Sequence, residues 1–286
     1  WLEHANALPS AYTLDYQAQN LIAGIGKDVF LDKLTPSDVA TYVARRRAKV
    51  SDASVNRELT LLRACFNMAR KKWGAKVADI DWKAQWLIEP DGRKRYLRAG
   101  EEARLMAAAA PHLRAPIAFT LMTAVRRSNC TTLDWFQVDM EGEEIMFQVK
   151  SRKPGGKTVI VPMSNQCRAL LSTLKPKDSG PVFLYKGHAI KSFKTAFKAA
   201  LRRASIEDFR WHDLRHTAAS RMVAAGVPLD VVKEIMGHES IETTMRYAHR
   251  EDSARREAVA ALGAQFGHNG GPPISDVTEK KKDLEG

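Results

Sequence analysis

Residues 143–163 read EEIMFQVKSRKPGGKTVIVPM, two runs rich in β-branched and aromatic residues around a Pro-Gly-Gly turn. Such runs, broken by such a turn, predict a β-hairpin. Almost everything else with periodicity in this chain reads as helix. In LTPSDVATYVARRRAK, Thr35 is placed to cap a helix, Pro36 sits in its first turn and Asp38 lies near the positive end of the helix dipole. In ASVNRELTLLRACFNMARKKWG, the residues Val55, Leu59, Leu62, Phe66 and Trp73 mark one apolar stripe, and Gly74 ends the helix. Helical signals then cover 101–110 and 115–126 before the hairpin. They resume after it at about 164–174, 190–204, 212–225, 228–237, 240–248 and 251–262. The expected fold class is mainly α with a small β-sheet or hairpin.

The segment WLIEPDGRKRYLR, residues 86–98, combines a proline, an Asp-Gly turn and the basic cluster Arg93–Arg95, which predicts a connection between domains. The expected organisation is a helical domain over 1–90, a linker over 91–98, a mixed α+β domain over 99–265 and a flexible, apolar-poor tail over 266–286. The chain of 286 residues carries 45 Lys and Arg against 33 Asp and Glu, a formal net charge of +12. The excess is shared: residues 1–98 hold 17 basic against 11 acidic side chains, and the rest hold 28 against 22. A domain-sized basic surplus points to a polyanion, most simply nucleic acid. Two separated basic regions suit a protein that grips a duplex from more than one side. The three cysteines, Cys65, Cys130 and Cys167, form no CxxC pair, which fits a reducing cytoplasm rather than a disulfide scaffold or a cysteine zinc site. No apolar run approaches the roughly 20 residues needed to cross a bilayer, and no signal peptide opens the chain.

Chemistry concentrates in RWHDLRHTAASRM, residues 210–222, where a helix would put His212, Arg215 and His216 on one face. HDLRH differs from the zinc motif HExxH by Asp213 in place of glutamate. Aspartate is shorter by one methylene, and Arg215 beside the two histidines would oppose a divalent cation even with His238 as a third ligand. The same face suits a phosphate. Arginine matches phosphate geometry with a bidentate fork, and histidine donates to a phosphate oxygen or moves a proton near neutral pH. Other segments add to it. TAVRRSN brings Arg126 and Arg127, the hairpin mouth brings lysines, and IMGHESIETTMRYAH sets His238 nine residues before Tyr247.

In this order and spacing the set resembles the tyrosine recombinases, or phage-type integrases. Their catalytic domain carries an arginine in a Thr-Gly-x-Arg-x-Ser-Glu run, a hairpin lysine, a His-x-x-Arg helix, a Gly-His and a nucleophilic tyrosine. The resemblance spans about residues 99–262, and VNRELTLLRACFNMARKKWG resembles the helical core-binding domain that precedes it. Carried over, Arg126 matches the first arginine, His212 the first histidine, Arg215 the second arginine, His238 the second histidine and Tyr247 the nucleophile. Lys150, Lys153 and Lys157 all compete for the lysine, with Lys150-Ser151 the best match to the family's Lys-Thr. Two positions depart from the pattern: Ala124 stands for the glycine, and Asn129 for the glutamate, whose carboxylate would orient Arg126.

The resemblance implies a site-specific DNA recombinase that integrates or excises a mobile element through a covalent 3′-phosphotyrosine. Arg126 and Arg215 would stabilise the charge on the transition-state phosphorus. Tyr247 would attack it. A phenol with a pKa near 10 is only about one part in a thousand ionised at pH 7, so its proton must be taken, and His212 is the candidate base. Lys150 would protonate the leaving 5′ oxygen and His238 would bond the phosphate, while His216 and Thr217 would support the helix. The covalent link conserves bond energy, so no ATP, metal or other cofactor is expected. Arg57, Arg63, Lys191, Lys194 and Lys198 are candidate DNA contacts by charge and face. Double-stranded DNA is the implied partner, bound by a homotetramer on two duplexes with accessory DNA-bending or directionality proteins. Two other readings stay open at this point: an inactive DNA-binding remnant, and a zinc hydrolase built on His212, His216 and His238.

Overall fold

The structure, a computed structural model, describes residues 11–90, 92–93, 95–149 and 156–248. The chain divides into two compact units, which part after Arg93.

In the first unit, α1 (Ala11–Ile25), α2 (Pro36–Arg47) and α3 (Asp52–Lys72) pack together, with the short α4 (Trp82–Gln85) against them. Thr35 and Asp38 form the expected reciprocal cap of α2. The Asp38 amide donates to Thr35 Oγ1 at 3.2 Å, and the Thr35 amide donates to Asp38 at 2.9 Å. Val55, Leu59, Leu62 and Phe66 of α3 are buried with Leu21, Val39 and Tyr42. Trp73, expected on the same stripe, is exposed, because α3 ends at Lys72 and the helical phase is lost as the chain turns through Gly74 at φ +63°. One buried carboxylate ties three helices together. Glu58 accepts from Tyr42 Oη at 2.7 Å, from Arg46 Nε and Nη2 at 2.9 and 2.6 Å, and from Asn20 at 3.0 Å. A buried charge satisfied this fully fixes the pairing of the helices.

The second unit opens with residues 95–98, which the sequence assigned to the linker. Leu97 is buried and its amide donates to Thr217 Oγ1 at 3.0 Å, while Arg95 pairs with Glu101 at 2.7 Å. Helices α5 (Glu101–Ala108), α6 (Pro111–Thr123) and α7 (Arg127–Thr131) follow. A three-stranded antiparallel sheet then forms from β1 (Val138–Asp139), β2 (Glu144–Val149) and β3 (Lys157–Pro162), in the order β1-β2-β3. The β2–β3 register runs from Glu144 opposite Pro162 to Val149 opposite Lys157. Ile145, Phe147, Val149, Val159 and Val161 point into the core, and the residues between them point out, which is the period of two that the hairpin reading expected. The chain continues through α8 (Asn165–Thr173), a small hairpin of β4 (Leu184–Tyr185) and β5 (His188–Ala189), then α9 (Lys194–Arg203), α10 (Trp211–Ala224), α11 (Leu229–Met236) and α12 (Glu242–Met245). Nine of the fourteen residues of α10 are buried, on every side of the helix, and it packs against α6 and α11. It is therefore a central element rather than an amphipathic surface helix. The expected helix 251–262 and tail 266–286 lie outside the described residues.

Candidate active site

The centre of the site is α10, whose face carries His212, Arg215 and His216 as the spacing predicted. Arg215 is 3% exposed, an unusual place for a guanidinium unless its donors are met. They are met by backbone. Nη1 donates to the Ala124 carbonyl and Nη2 to the Met236 carbonyl, both at 2.6 Å. Arg126, half-buried at the N-terminus of α7, donates to the Gly237 carbonyl at 3.1 Å. These three carbonyls sit at the C-terminal ends of α6 and α11, where helices leave unpaired acceptors and partial negative charge. Two helix ends thus hold two arginines that repel one another, leaving donors over for an anion.

Local backbone makes this geometry. Ala124 ends α6 at φ +53° and Gly237 ends α11 at φ +58°, both left-handed. That turn is what aims their carbonyls at the arginines. It also explains why a glycine belongs at position 124 in the family pattern, and why alanine there carries strain. At Gly237 a Cβ would lie 2.9 Å from Val159 Cγ2 and 3.4 Å from Val149 Cγ1, so the Gly-His turn is pressed onto the β2–β3 hairpin with no room for a side chain. Asn129, where the family has glutamate, donates to the Gln148 carbonyl of β2 at 3.3 Å.

The histidines and Tyr247 complete the cluster. His238 Nδ1 is 2.9 Å from Thr244 Oγ1, and both are buried. Tyr247 follows α12 in a turn rather than in the expected helix 240–248, and is 5% exposed. Its hydroxyl meets the Nδ1 of His216 at 2.6 Å. The sequence reading gave His216 only a supporting role and missed this bond. The His212 and His216 rings meet edge to face at 4.8 Å, a proximity that their i, i+4 spacing already contained.

The electrostatics are those of a site awaiting negative charge. Burial, then Arg126, pushes the Arg215 guanidinium down to about 9, partly offset by Tyr247, and the group stays protonated at neutral pH. Burial also lowers Arg126. His238 falls to about 3 through burial and then Arg215, Arg126, Arg246 and His212. His216 falls to about 4 through burial and His212, against Asp213, with Arg246 and Arg215 adding to the fall. His212 is lowered by burial first and Arg215 next. Arg246, on the turn beside Tyr247, is a further cation at this site that the sequence reading did not single out.

Other expected residues fall outside the cluster. Lys150 and Lys153 lie outside the described residues. Lys157 is exposed at the start of β3. Arg57 and Arg63 are exposed on α3 of the first unit, Lys191 is exposed ahead of α9, and Lys194 and Lys198 are exposed on α9. Among the described residues no three His, Cys, Asp or Glu side chains are grouped to hold a metal ion. Asp213, the acid of the zinc reading, instead caps α10 by accepting from the Arg210 amide at 2.8 Å. No helix among the described residues is long and apolar enough to cross a membrane.

One buried and one half-buried arginine, flanking histidines and a tyrosine hydroxyl, set in helices around a small antiparallel sheet, make a site suited to an anion. Comparisons with known proteins identify the family. The model of the phage integrase family matches residues 95–254. The integrase of Salmonella phage P22 is 34% identical over 226 residues, 73% of this chain and 57% of that protein. A shufflon-specific DNA recombinase of Escherichia coli is 32% identical over 258 residues, 82% of this chain and 65% of that one. The chain therefore spans roughly three fifths of the length of these curated relatives. Among solved structures, the Tn1549 transposon integrase in complex with a circular intermediate DNA superposes with a TM-score of 0.76 at 17% identity, over 91% of this chain and 96% of that one. A lambda integrase dimer bound to a COC′ core site superposes with a TM-score of 0.68 at 15% identity, over 83% and 87%. At such identities the likeness is one of fold. The chain belongs to the phage integrase family of tyrosine recombinases.

Proposed function

We propose that this chain is a site-specific DNA recombinase that cleaves and rejoins strands through a 3′-phosphotyrosine on Tyr247, integrating or excising a mobile element. The observation that carries the reading is the convergence, in the second unit, of the buried Arg215, His238 and Tyr247 with the half-buried Arg126 and the exposed His212 at its mouth. The two arginines bind the non-bridging oxygens and stabilise the charge that builds on them. Their fork geometry is fixed in advance by the helix-end carbonyls, so no reorganisation is needed when the charge develops. His238, held by Thr244 and neutral at physiological pH, donates to the phosphate. His212 faces the same centre. Lys150 protonates the leaving 5′ oxygen.

In this reading residues 1–90 form a core-type DNA-binding domain, 91–98 the connection, whose residues 95–98 pack within the second unit, 99–265 the catalytic domain and 266–286 a tail. Arg57 and Arg63 on one unit, and Lys191, Lys194 and Lys198 on the other, contact the phosphate backbone, which positions the protein and specifies little sequence. The duplex is gripped by four copies on two sites, with accessory DNA-bending or directionality proteins, in the cytoplasm. The solved DNA complexes of the Tn1549 and lambda integrases support DNA as the partner.

The test is recombination between two plasmid-borne copies of the sequences flanking the chain's own gene. The wild-type chain is expected to yield inverted or excised product, and Arg215→Ala none. Tight binding to those sites without any product from the wild type would favour an inert DNA binder instead.

A further inference from the structure

We propose that His216 is the group that orients the Tyr247 hydroxyl and takes its proton during strand cleavage. This inference deepens the recombinase reading and rests on it. The geometry carries it. His216 Nδ1 and Tyr247 Oη are 2.6 Å apart, both side chains are at least nine-tenths buried, and the two rings are tilted at 48° with centroids 5.7 Å apart. A proton acceptor must lie within hydrogen-bond reach of the proton it removes, and of the site's histidines His216 is the one with a nitrogen on the tyrosine hydroxyl among the hydrogen bonds described. His238 spends its Nδ1 on Thr244, and the His212 ring lies edge to face on that of His216.

The protonation states agree with the geometry. The titratable and charged groups facing His216 are His212, Asp213 and Arg215 on its own helix, and Arg246 beside Tyr247 on the following turn. Burial and the surrounding cations keep the imidazole neutral at pH 7, with Nδ1 free to accept when Nε2 carries the ring proton. That environment also makes His216 a weak base while the site is empty. A bound phosphodiester opposite Arg126 and Arg215 adds a negative charge, which raises the basicity of His216 when the substrate arrives. In the step itself the Tyr247 O–H bond breaks and an Nδ1–H bond forms. The phenolate oxygen then bonds to phosphorus as the bond from phosphorus to the 5′ oxygen breaks. The leaving oxygen takes its proton from a separate cationic acid, the hairpin lysine of the proposal above. On rejoining, the imidazolium returns its proton to the departing tyrosine.

The experiment is single-turnover cleavage of a nicked duplex from pH 6 to 9.5, with wild type, His216→Ala and His216→Asn, on ordinary DNA and on DNA with a bridging sulfur at the scissile 5′ position. Loss of a general base costs about 10²–10⁴-fold, so both variants should be slower by that factor at pH 7. Their deficit should shrink by about tenfold per pH unit as solvent hydroxide takes over. The sulfur leaving group needs no acid and should leave the deficit in place. Asparagine keeps a polar atom near the Nδ1 position but accepts no proton, so it reads the same slope should the alanine variant fold poorly. A deficit independent of pH, its disappearance on the sulfur substrate, or wild-type speed in His216→Asn would each overturn the proposal. A wild-type chain that forms no adduct would instead end the recombinase reading itself, and this inference with it.

Discussion

Replacing Gly237 by alanine should damage the site from beneath without removing any functional group. Two costs add. A side chain at φ +58° carries about 1–2 kcal/mol of left-handed strain. A Cβ 2.9 Å from Val159 Cγ2, backed by Val149 at 3.4 Å, overpacks the contact between the Gly-His turn and the hairpin at about 1–3 kcal/mol. Alanine regains about 0.4–1 kcal/mol by restricting the unfolded chain. The net expected loss is about 1–5 kcal/mol, confined to the second unit. Calorimetry should therefore show that unit's transition moving down while that of the first unit stays in place. The Gly237 carbonyl that anchors Arg126, and His238 next to it, would shift together, so strand cleavage should fall as well. A double-mutant cycle separates the two costs, because Val159→Ala removes the methyl that the new Cβ strikes but leaves the strain. The pair should couple by about 1–3 kcal/mol. A Gly237→Ala variant as stable as wild type, or strictly additive losses in the cycle, would refute the argument that this glycine is held by close approach.

Ala124 offers the converse. Ala124→Gly removes left-handed strain and should be stabilising by about 0.5–1 kcal/mol in thermal melts, and a loss above 1 kcal/mol would contradict the account. Arg215→Lys cannot reach the Ala124 and Met236 carbonyls together, so it should cost about 1–3 kcal/mol for a buried unpaired acceptor and slow cleavage by about 10²–10³-fold, measured by single-turnover kinetics. The folded-state pKa values of His216 and His238, about 4 and 3, lie below the ordinary value near 6.5. The unfolded chain then binds more protons between these limits. Stability should hold above about pH 6.5 and fall as the pH drops toward 4, and His238→Gln should flatten that slope in melts taken across the range. Glu58→Gln should destabilise the first unit by about 1–3 kcal/mol, because the half-buried Arg46 would lose its charged acceptor, and denaturant unfolding of that unit measures it.

What could be read in advance was what depends on local order. The reciprocal cap at Thr35 and Asp38 needs only residues three apart, and the hairpin around Pro154 announced itself by alternation. The members of the site were legible as a set because order and spacing along the chain are sequence properties. Their partners were not. Arg215 is held by carbonyls 91 and 21 residues away, and a backbone carbonyl leaves no signature in a sequence. The β4–β5 hairpin escaped notice because its turn is Lys186-Gly187, with φ of +53° and +80°, where a lysine takes the place usually held by asparagine or aspartate. The helix expected over 240–248 shrank to Glu242–Met245, which releases Tyr247 into a turn and lets its hydroxyl fold back onto α10. That fold-back decides which histidine meets Tyr247, and neither His212 nor His216 announces it by spacing alone.

The central claim is that Tyr247 becomes covalently joined to DNA. The direct measurement is trapping on a nicked duplex taken from the flanks of the chain's own gene, with denaturing gels and mass spectrometry of the linked peptide. The account predicts a denaturant-resistant, protease-sensitive adduct on the peptide containing Tyr247, absent in Tyr247→Phe while site binding persists. An equal adduct yield from Tyr247→Phe, or DNA linked to a different residue, would contradict it.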